Sequence, residues 1–408
     1  MELVGTIGNF CCVALAQRKQ RSGGGGWTVN GMTFMNIIRT IVALSVSVGG
    51  LCFAADSRPA VRRDAPETIR GAIYVSSNAF NAPQMWKNFS VEETQRDFGY
   101  AKKINLNALR LWASYEYWKL EPERFKTSFD QMLGAAEQSG IRIMVSLFER
   151  CGKSYSPAEM WSTDPRRAFA MISPSPEVFS PEHKSEWEAP RAFVKWFMEN
   201  YRNDERLLAI EVMNEPQLQP RNQPPSVPFA KSMFVTAKAM QGSVPLTIGI
   251  DDHEDLAEEF IPLGLDFIQF HDNFPPSAEA LEEHIQAAIR LGAKHHLPVW
   301  LGEWQRVRPS GSGWSGEKLS AEETTPNYAS LAPVVQKYPI GSFFWSLMVK
   351  RAYLQAQRER GTINGLFWPD GSVWSLADAR AIARDPQLDL VEKKSLPPGF
   401  LDYLKAKE

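Results

Sequence analysis

The segment LAIEVMNEP, residues 208–216, decides the predicted fold of this chain, because an apolar run leads there directly into an acidic residue, Glu215. A second apolar run, PVWLGEW at residues 298–304, leads in the same way into Glu303. Such short apolar runs are typical of buried parallel strands. In a parallel barrel the active site lies at the carboxyl ends of the strands. A lone glutamate at a strand end is as often part of a local ion pair, so it is the presence of two that favours a catalytic site.

Eight short β-like runs alternate with amphipathic helical patterns from about residue 70 onward. This alternation predicts a parallel sheet with crossover helices, and eight units favour a single closed (β/α)8 TIM barrel of the α/β class over an open doubly wound sheet. The predicted strands are residues 71–75, 108–111, 142–147, 208–212, 246–250, 267–270, 299–301 and 342–345. The predicted helices are residues 91–104, 129–138, 189–201, 229–240, 278–293, 328–337 and 376–383, with Ser90 and Ser277 as N-caps.

Three predicted connections are much longer than the usual two to six residues of such units. They follow strands 3, 7 and 8 and cover residues 149–190, 305–325 and 348–373. Long insertions at the functional face of a barrel are typical of the walls of a binding cleft.

The composition favours a carbohydrate as the binding partner. The chain has 13 tryptophans, and flat apolar rings suit the C–H faces of pyranose sugars. The net charge is −2 and the basic residues are scattered, which excludes a basic stripe for nucleic acid.

The N-terminal region is predicted to lie outside the fold. Residues 1–34 form an upstream segment, residues 35–55 a signal peptide, residues 56–69 a linker and residues 70–408 the catalytic barrel. The apolar part of the signal is too short to span a bilayer comfortably, so we expect export to the periplasm or the exterior, with no stable membrane insertion after cleavage. Lipidation at Cys52 is the alternative. Only Cys151 of the four cysteines would remain after cleavage, and we expect a monomer.

Five strand ends, taken in order, resemble the retaining glycoside hydrolases of clan A, and within them the cellulase-like enzymes of family 5. They supply Arg110, Asn214-Glu215, His271, Glu303 and Trp345. The resemblance covers about residues 70–383. It implies hydrolysis of the O-glycosidic bonds of a β-linked glycan or glycoside by double displacement, without a metal or another cofactor.

The resemblance also implies a role for each residue. Glu215 is the acid/base and Glu303 the nucleophile, with their carboxyl groups about 5 to 5.5 Å apart as retention requires. Arg110 is expected to hold Glu303 ionised. Asn214 is expected to bind the sugar 2-hydroxyl, and His271 to orient the site.

Tryptophans are the remaining candidates for the cleft. Trp345 is expected to form the floor of the subsite beside the scissile bond, with a cis peptide to Ser346. Trp112, Trp304 and Trp368 are candidates for the lining of the cleft, with core packing as the alternative for each.

Two positions depart from the family 5 pattern. A His-x-Tyr motif, whose tyrosine contacts the nucleophile, is replaced here by His271-Asp-Asn273, and the third strand ends in LFER at residues 147–150 where a histidine is common. Three alternative functions stay open. A catalytically silent carbohydrate-binding barrel would lose a carboxylate or its arginine, a transglycosylase would use the same two glutamates, and a metal-dependent hydrolase would fail in the presence of a chelator.

Overall fold

Eight parallel strands close into a barrel in the sequential order β1 to β8. The computed structural model describes residues 60–150, 156–168, 179–217, 226–251, 255–310 and 319–407. The strands are β1 Arg70–Ile73, β2 Ala108–Trp112, β3 Arg142–Glu149, β4 Leu207–Asn214, β5 Leu246–Ile250, β6 Ile268–Asp272, β7 Val299–Trp304 and β8 Gly341–Phe344. β8 pairs with β1, which closes the sheet. The predicted TIM barrel is therefore confirmed.

Helices connect the strands and cover the outside of the barrel. The α-helices are Ala82–Lys87, Val91–Lys103, Tyr115–Leu120, Pro122–Gln138, Pro157–Met160, Glu188–Tyr201, Val227–Ala239, Asp255–Phe260, Ala278–His295, Ala332–Val335, Gln355–Arg358 and Leu376–Ala383. The two predicted N-caps are present, because Ser90 accepts from the amide of Glu93 and Ser277 from that of Ala280.

One predicted helix, residues 328–337, is wrong as a continuous element. The structure has a 3-10 turn at Tyr328–Ser330 and a separate one-turn helix at Ala332–Val335. Pro333 explains the break, since proline lacks an amide hydrogen and is accepted only in the first turn of a helix.

The barrel strands are buried on both faces. All eight residues of β4 and all five of β2 are buried, and two of them, Arg110 and Glu211, are charged and have no exposed surface. Burial of this kind is typical of a parallel sheet covered by helices. A buried charge must be paired, so these two residues require a polar network inside the barrel.

The pairing register shifts at the mouth of the barrel, where the candidate residues lie. Shifts occur before Asn214 in the β4–β5 pair and before His271 in the β6–β7 pair. Glu215, just beyond β4, has a φ of +46°, in the left-handed region. Irregularities of this kind turn a side chain away from the regular alternation of a strand.

The connection after β8 carries its own small sheet. β9 Lys350–Arg351 pairs antiparallel with β10 Ile363–Asn364, and the helix Gln355–Arg358 lies between them. The connection after β3 contains the helix Pro157–Met160 and a 3-10 segment at Pro181–Trp187, and that after β7 contains a 3-10 turn at Glu322–Thr324. Residues 151–155, 169–178 and 311–318 of these connections lie outside the described part.

Hydrogen bonds of Tyr328 connect β8 to the segment that follows it. Its hydroxyl donates to the carbonyl of Trp345 (2.6 Å) and accepts from the amides of Ser346 (2.8 Å) and Gly365 (3.1 Å). The Trp345–Ser346 peptide between two of these partners is cis, as expected. A single buried phenol thus satisfies three backbone groups at the mouth of the barrel.

Within the described ranges, no helix combines the length and the apolar character needed to cross a bilayer. The predicted upstream segment, signal peptide and lipidation site at Cys52 all lie outside the described residues. The export of the protein therefore stays a prediction.

Removal of the Tyr328 hydroxyl is expected to destabilise the barrel. Tyr328→Phe leaves one carbonyl and two amides without their partner, and should lower the free energy of unfolding by about 2 to 4 kcal/mol. Tyr338→Phe is the matched control, because its hydroxyl bonds only Glu282 and Gln286 on a more accessible surface, and should cost less than about 1 kcal/mol. Urea unfolding of the two variants tests this, and equal losses would contradict it.

Candidate active site

Arg110 is the centre of a buried polar network at the carboxyl ends of the strands. Its Nε and Nη2 donate to the two oxygens of Glu211 (2.6 and 2.8 Å), and its Nη1 donates to Glu303 Oε1 (2.6 Å). Nη2 also donates to Asn214 Oδ1 (2.6 Å). The guanidinium therefore forms a bidentate pair with Glu211 and a single hydrogen bond with Glu303. A lysine could not reproduce this geometry.

The pKa of Arg110 stays above its ordinary value although the residue is fully buried. Burial lowers the pKa, but the charges of Glu211 and Glu303 and their hydrogen bonds outweigh that effect. Arg110 is thus a permanent cation, placed between one carboxylate inside the barrel and one at its mouth.

Two strand glycines make room for this network. A Cβ on Gly249 of β5 would lie 2.3 Å from Glu211 Oε1 and 3.1 Å from Asn214 Oδ1. A Cβ on Gly302 of β7 would lie 2.5 Å from Gln269 Nε2. Distances this short exclude any larger residue unless the polar groups move.

His271 has a defined tautomer in this network. The Gln269 amide nitrogen donates to Glu211 Oε2 (3.3 Å), and it also lies 3.0 Å from His271 Nε2. Since an amide nitrogen only donates, His271 Nε2 is the acceptor and Nδ1 carries the hydrogen. Nδ1 lies 2.7 Å from Glu215 Oε1 and therefore donates to it.

His271 is neutral at neutral pH. Burial is the main cause that lowers its pKa to about 4, and Arg110 adds to this while Glu303 opposes it. The imidazole thus gives Glu215 a hydrogen bond without a full positive charge.

Glu303 accepts from two side chains, one on each oxygen. Arg110 binds Oε1, and Asn273 Nδ2 donates to Oε2 (2.9 Å). Gln305 in turn donates to Asn273 Oδ1 (3.0 Å), which fixes the orientation of the Asn273 amide. Burial raises the pKa of Glu303 and the charge of Glu215 adds to it, whereas Arg110 and the Asn273 hydrogen bond oppose the rise.

Asn214 connects Arg110 to a further carboxylate. Its Oδ1 accepts from Arg110, and its Nδ2 donates to both oxygens of Glu149 (3.0 and 3.1 Å). An amide nitrogen has two hydrogens, and the Glu149 carboxylate engages one of them. The second is the group that the expected contact with a sugar hydroxyl would use.

The candidate tryptophans divide into two groups. Trp112 and Trp345 lie beside the polar network, with ring centroids 5.4 Å apart and the Arg110 guanidinium 4.7 Å from the Trp112 ring. Trp304 packs instead against Tyr328 and Phe344. Trp368 packs against Trp374 and Phe400, and its indole donates to the carbonyl of Lys393. The structure therefore does not bring Trp304 or Trp368 to the network.

Sequence reasoning missed three polar residues of the network: Glu211, Gln269 and Asn273. Glu211 and Gln269 stand inside apolar strand runs and have no exposed surface. A charged residue within such a run indicates a buried partner, and this signal could have identified Glu211. Asn273 lies two residues after His271, and its amide donates directly to Glu303.

Glu215, His271 and Glu303 are also the kinds of residue that bind metals. Among the described residues they form a group in which one donor atom of each lies within 4.8 Å of the others. However, His271 Nδ1 carries a hydrogen directed at Glu215, and Arg110 binds Glu303. A metal ion at this point would have to displace the first contact and lie beside the guanidinium, so these donors fit a metal poorly.

Comparison with known proteins gives structural matches only. No protein-family model and no curated protein sequence matches the chain. An exo-β-1,4-mannosidase from Opitutaceae bacterium strain TAV5 is 15% identical with a TM-score of 0.53, over 81% of this chain and 61% of that chain. A GH5_18 protein from Streptomyces cattleya in complex with GlcNAc is 14% identical with a TM-score of 0.52, over 86% and 88%.

A further GH5_18 protein, from Bifidobacterium longum subsp. longum in complex with Manβ1-4GlcNAc, is 12% identical with a TM-score of 0.52, over 80% of each chain. At such identities the likeness shows the fold alone. The (β/α)8 barrel that the sequence predicts is thus confirmed, and these solved structures share it.

Gly249→Ala is expected to disturb the network without removing any of its members. The added Cβ meets the Glu211 carboxylate, which three hydrogen bonds hold in place, so the variant should lose about 1 to 3 kcal/mol of stability. Gly134→Ala is the matched control. It lies within the helix Pro122–Gln138, where a Cβ meets nothing within 4 Å, and alanine there should stabilise the protein slightly. Thermal unfolding distinguishes the two, and a neutral Gly249→Ala would contradict the close approach.

Proposed function

We propose that this protein is a retaining glycoside hydrolase, in which Glu303 is the nucleophile and Glu215 the general acid/base. The observation that carries the proposal is the pair of carboxyl groups: an oxygen of Glu215 and an oxygen of Glu303 lie within 4.8 Å of each other. Retaining enzymes hold their two carboxyls about 5 to 5.5 Å apart, whereas inverting enzymes need a wider gap for a water molecule.

The partners of the two carboxyls support different roles for them. Glu303 receives a hydrogen bond from a permanent cation and one from an amide, both of which favour its ionised form. Glu215 receives a hydrogen bond from the neutral His271 rather than from a cation, so this contact favours its ionised form less than the contacts of Glu303 do. One carboxyl is thus arranged as an anion and the other as a proton donor.

In the first step, Glu303 attacks the anomeric carbon and forms an ester bond to the sugar. The bond to the leaving oxygen breaks, and Glu215 transfers its proton to that oxygen. Arg110 remains against Glu303 as the negative charge of the carboxylate is consumed.

In the second step, Glu215, now ionised, takes a proton from a water molecule. The resulting hydroxide attacks the anomeric carbon, the ester bond breaks, and Glu303 returns as a carboxylate. The two inversions together retain the anomeric configuration. An acceptor sugar in place of water would give transglycosylation by the same residues.

The proposed substrate is a β-linked glycan or glycoside, met after export from the cytoplasm. The order of the strand-end motifs supports a β-linked substrate, and the predicted signal peptide at residues 35–55 supports export. The structural neighbours include an exo-β-1,4-mannosidase and a protein in complex with a Manβ1-4GlcNAc disaccharide. Mannose-containing glycans are therefore the first substrates to test.

Azide rescue tests the two roles separately. With 2,4-dinitrophenyl β-glycosides of mannose, glucose and xylose as probes, we expect Glu215→Ala and Glu303→Ala each to lower turnover of ordinary substrates roughly a hundredfold to ten-thousandfold. Azide should give a β-glycosyl azide with Glu215→Ala, because it attacks the covalent intermediate. It should give an α-glycosyl azide with Glu303→Ala, because it replaces the nucleophile.

Glu282→Ala, a glutamate on the outside of the barrel, is the matched control and should show no response to azide. The same anomer from both active-site variants would overturn the assignment of roles. An inactive wild-type protein across the probe panel and mannan oligosaccharides would overturn the proposed function.

The pH dependence tests Asn273. Its hydrogen bond favours ionised Glu303, so Asn273→Ala should raise the pKa of Glu303 further. Since Glu303 must be ionised to attack, activity is lost as the pH falls through this pKa. The acid limb of the kcat/KM profile should therefore move to higher pH, with kcat/KM about tenfold lower at neutral pH.

Asn107→Ala is the matched control for this profile. Asn107 bonds Thr68 and Arg70 at the opposite end of the barrel, so its loss should lower stability and leave the acid limb in place. An unchanged acid limb in Asn273→Ala would contradict the contact to Glu303.

A further inference from the structure

We propose that this enzyme is exo-acting, because the connections after β1, β3 and β8 close the cleft beyond the sugar that is cleaved. The active site then accepts only the terminal unit of a glycan chain. This inference rests on the proposed function and assigns its mode of attack.

The positions of the two carboxyls define the direction of the chain. The acid protonates the leaving oxygen, so the leaving group lies on the side of Glu215, at the end of β4. The cleaved sugar lies towards Glu303 on β7 and Trp345 beside β8. In a pyranose the anomeric carbon and C4 are at opposite ends of the ring, so a 4-linked chain would continue away from Glu215. It would continue towards β8, β1 and β2.

Two buried basic side chains join the connections on that side. The amine of Lys350, in β9, donates to the carbonyls of Ser76 (3.1 Å) and Ala79 in the connection after β1. Arg358 donates to the carbonyl of Ala168 in the connection after β3, and its guanidinium lies 5.1 Å from the Phe80 ring. Lys350 is buried and Arg358 has no exposed surface, which indicates a packed wall rather than an open groove.

The connections after β1 and β3 are also joined directly. Asn81 Nδ2 and Gln84 Nε2 both donate to the carbonyl of Met160 (3.0 and 2.8 Å), and Gln84 also donates to that of Ser162 (2.8 Å). Gln355, beside Arg358, donates to the carbonyl of Arg166 (2.7 Å). Three chain segments far apart in sequence thus form one bonded wall.

Tyr353 connects this wall to the two tryptophans beside the active site. Its ring stacks on Trp112 at 6.0 Å and meets Trp345 edge-on at 5.4 Å. Trp112 and Tyr353 are only 2% and 3% exposed, whereas Trp345 is 8% exposed. Tyr353 thus covers one face of the Trp112 ring and closes that face to a second sugar.

The C-terminal segment forms hydrogen bonds with the connection after β8. Arg351 donates to the carbonyl of Phe400 (2.7 Å), and the Tyr403 hydroxyl donates to the carbonyl of Arg358 (2.8 Å). These contacts hold both ends of the helix-containing loop between β9 and β10.

Blocked oligosaccharides test the mode of attack with the wild-type protein. The probes are β-1,4-linked pentasaccharides of mannose and glucose, labelled at the reducing end, with or without a benzylidene acetal on the terminal non-reducing sugar. We expect stepwise release of monosaccharide from the free oligosaccharide and at least a hundredfold slower cleavage of the blocked one. Equal cleavage of both, or internal fragments as first products, would overturn the exo mode and leave the proposed function intact. No cleavage of any probe or aryl glycoside would overturn both.

Tyr353→Ala tests the wall itself. We expect the variant to gain at least tenfold in cleavage of the blocked probe relative to the free one, because the face of Trp112 is uncovered. Tyr353→Phe keeps the ring and should behave as wild type, and Tyr338→Ala on the outside of the barrel controls for loss of a tyrosine. If the folded Tyr353→Ala variant cleaves the blocked probe as slowly, relative to the free probe, as the wild-type protein does, the proposed role of Tyr353 is wrong. The product pattern of the wild-type protein decides the exo mode even when that variant does not fold.

Discussion

The structure depends on one buried ion pair, the bidentate contact between Arg110 and Glu211 inside the barrel. Removing either partner would leave a charge without compensation in the core, which typically costs 3 to 5 kcal/mol. Replacing both with apolar residues would cost much less, so stability alone does not explain the pair. Its function is to hold the guanidinium rigidly while the remaining donors reach Glu303 and Asn214 at the mouth.

The same ion pair is also connected to Glu215, through a chain of hydrogen bonds. Glu211 accepts from Gln269, Gln269 donates to His271, and His271 donates to Glu215. The orientation of the Gln269 amide, and with it the tautomer of His271, is therefore set by the carboxylate that also fixes Arg110. Two glutamates in one small site are differentiated by a single buried pair, since one receives a cation and the other a neutral donor.

The sequence predicted the barrel because strand ends and helical periodicity recur eight times, and a charge after an apolar run is conspicuous. It predicted the two glutamates for the same reason, whereas Arg110 was implied by the resemblance to clan A. It could not predict Asn273 or Gln269, since nothing local distinguishes an amide that bonds a buried side chain from one that faces solvent. Trp304 was a candidate only because it follows Glu303, and adjacent strand residues point to different sides. Pro333 was overlooked as the break in a predicted helix.

Glu303 is the residue proposed to become covalently bound to the sugar, and mechanism-based trapping tests this most directly. A 2-deoxy-2-fluoro β-glycoside with a dinitrophenyl leaving group slows the second step, so the intermediate accumulates. Peptide mass spectrometry after protease digestion should find one added fluorosugar, on the peptide that contains Glu303. Attachment to any other residue, or turnover with an inverted first product and no adduct, would contradict the account.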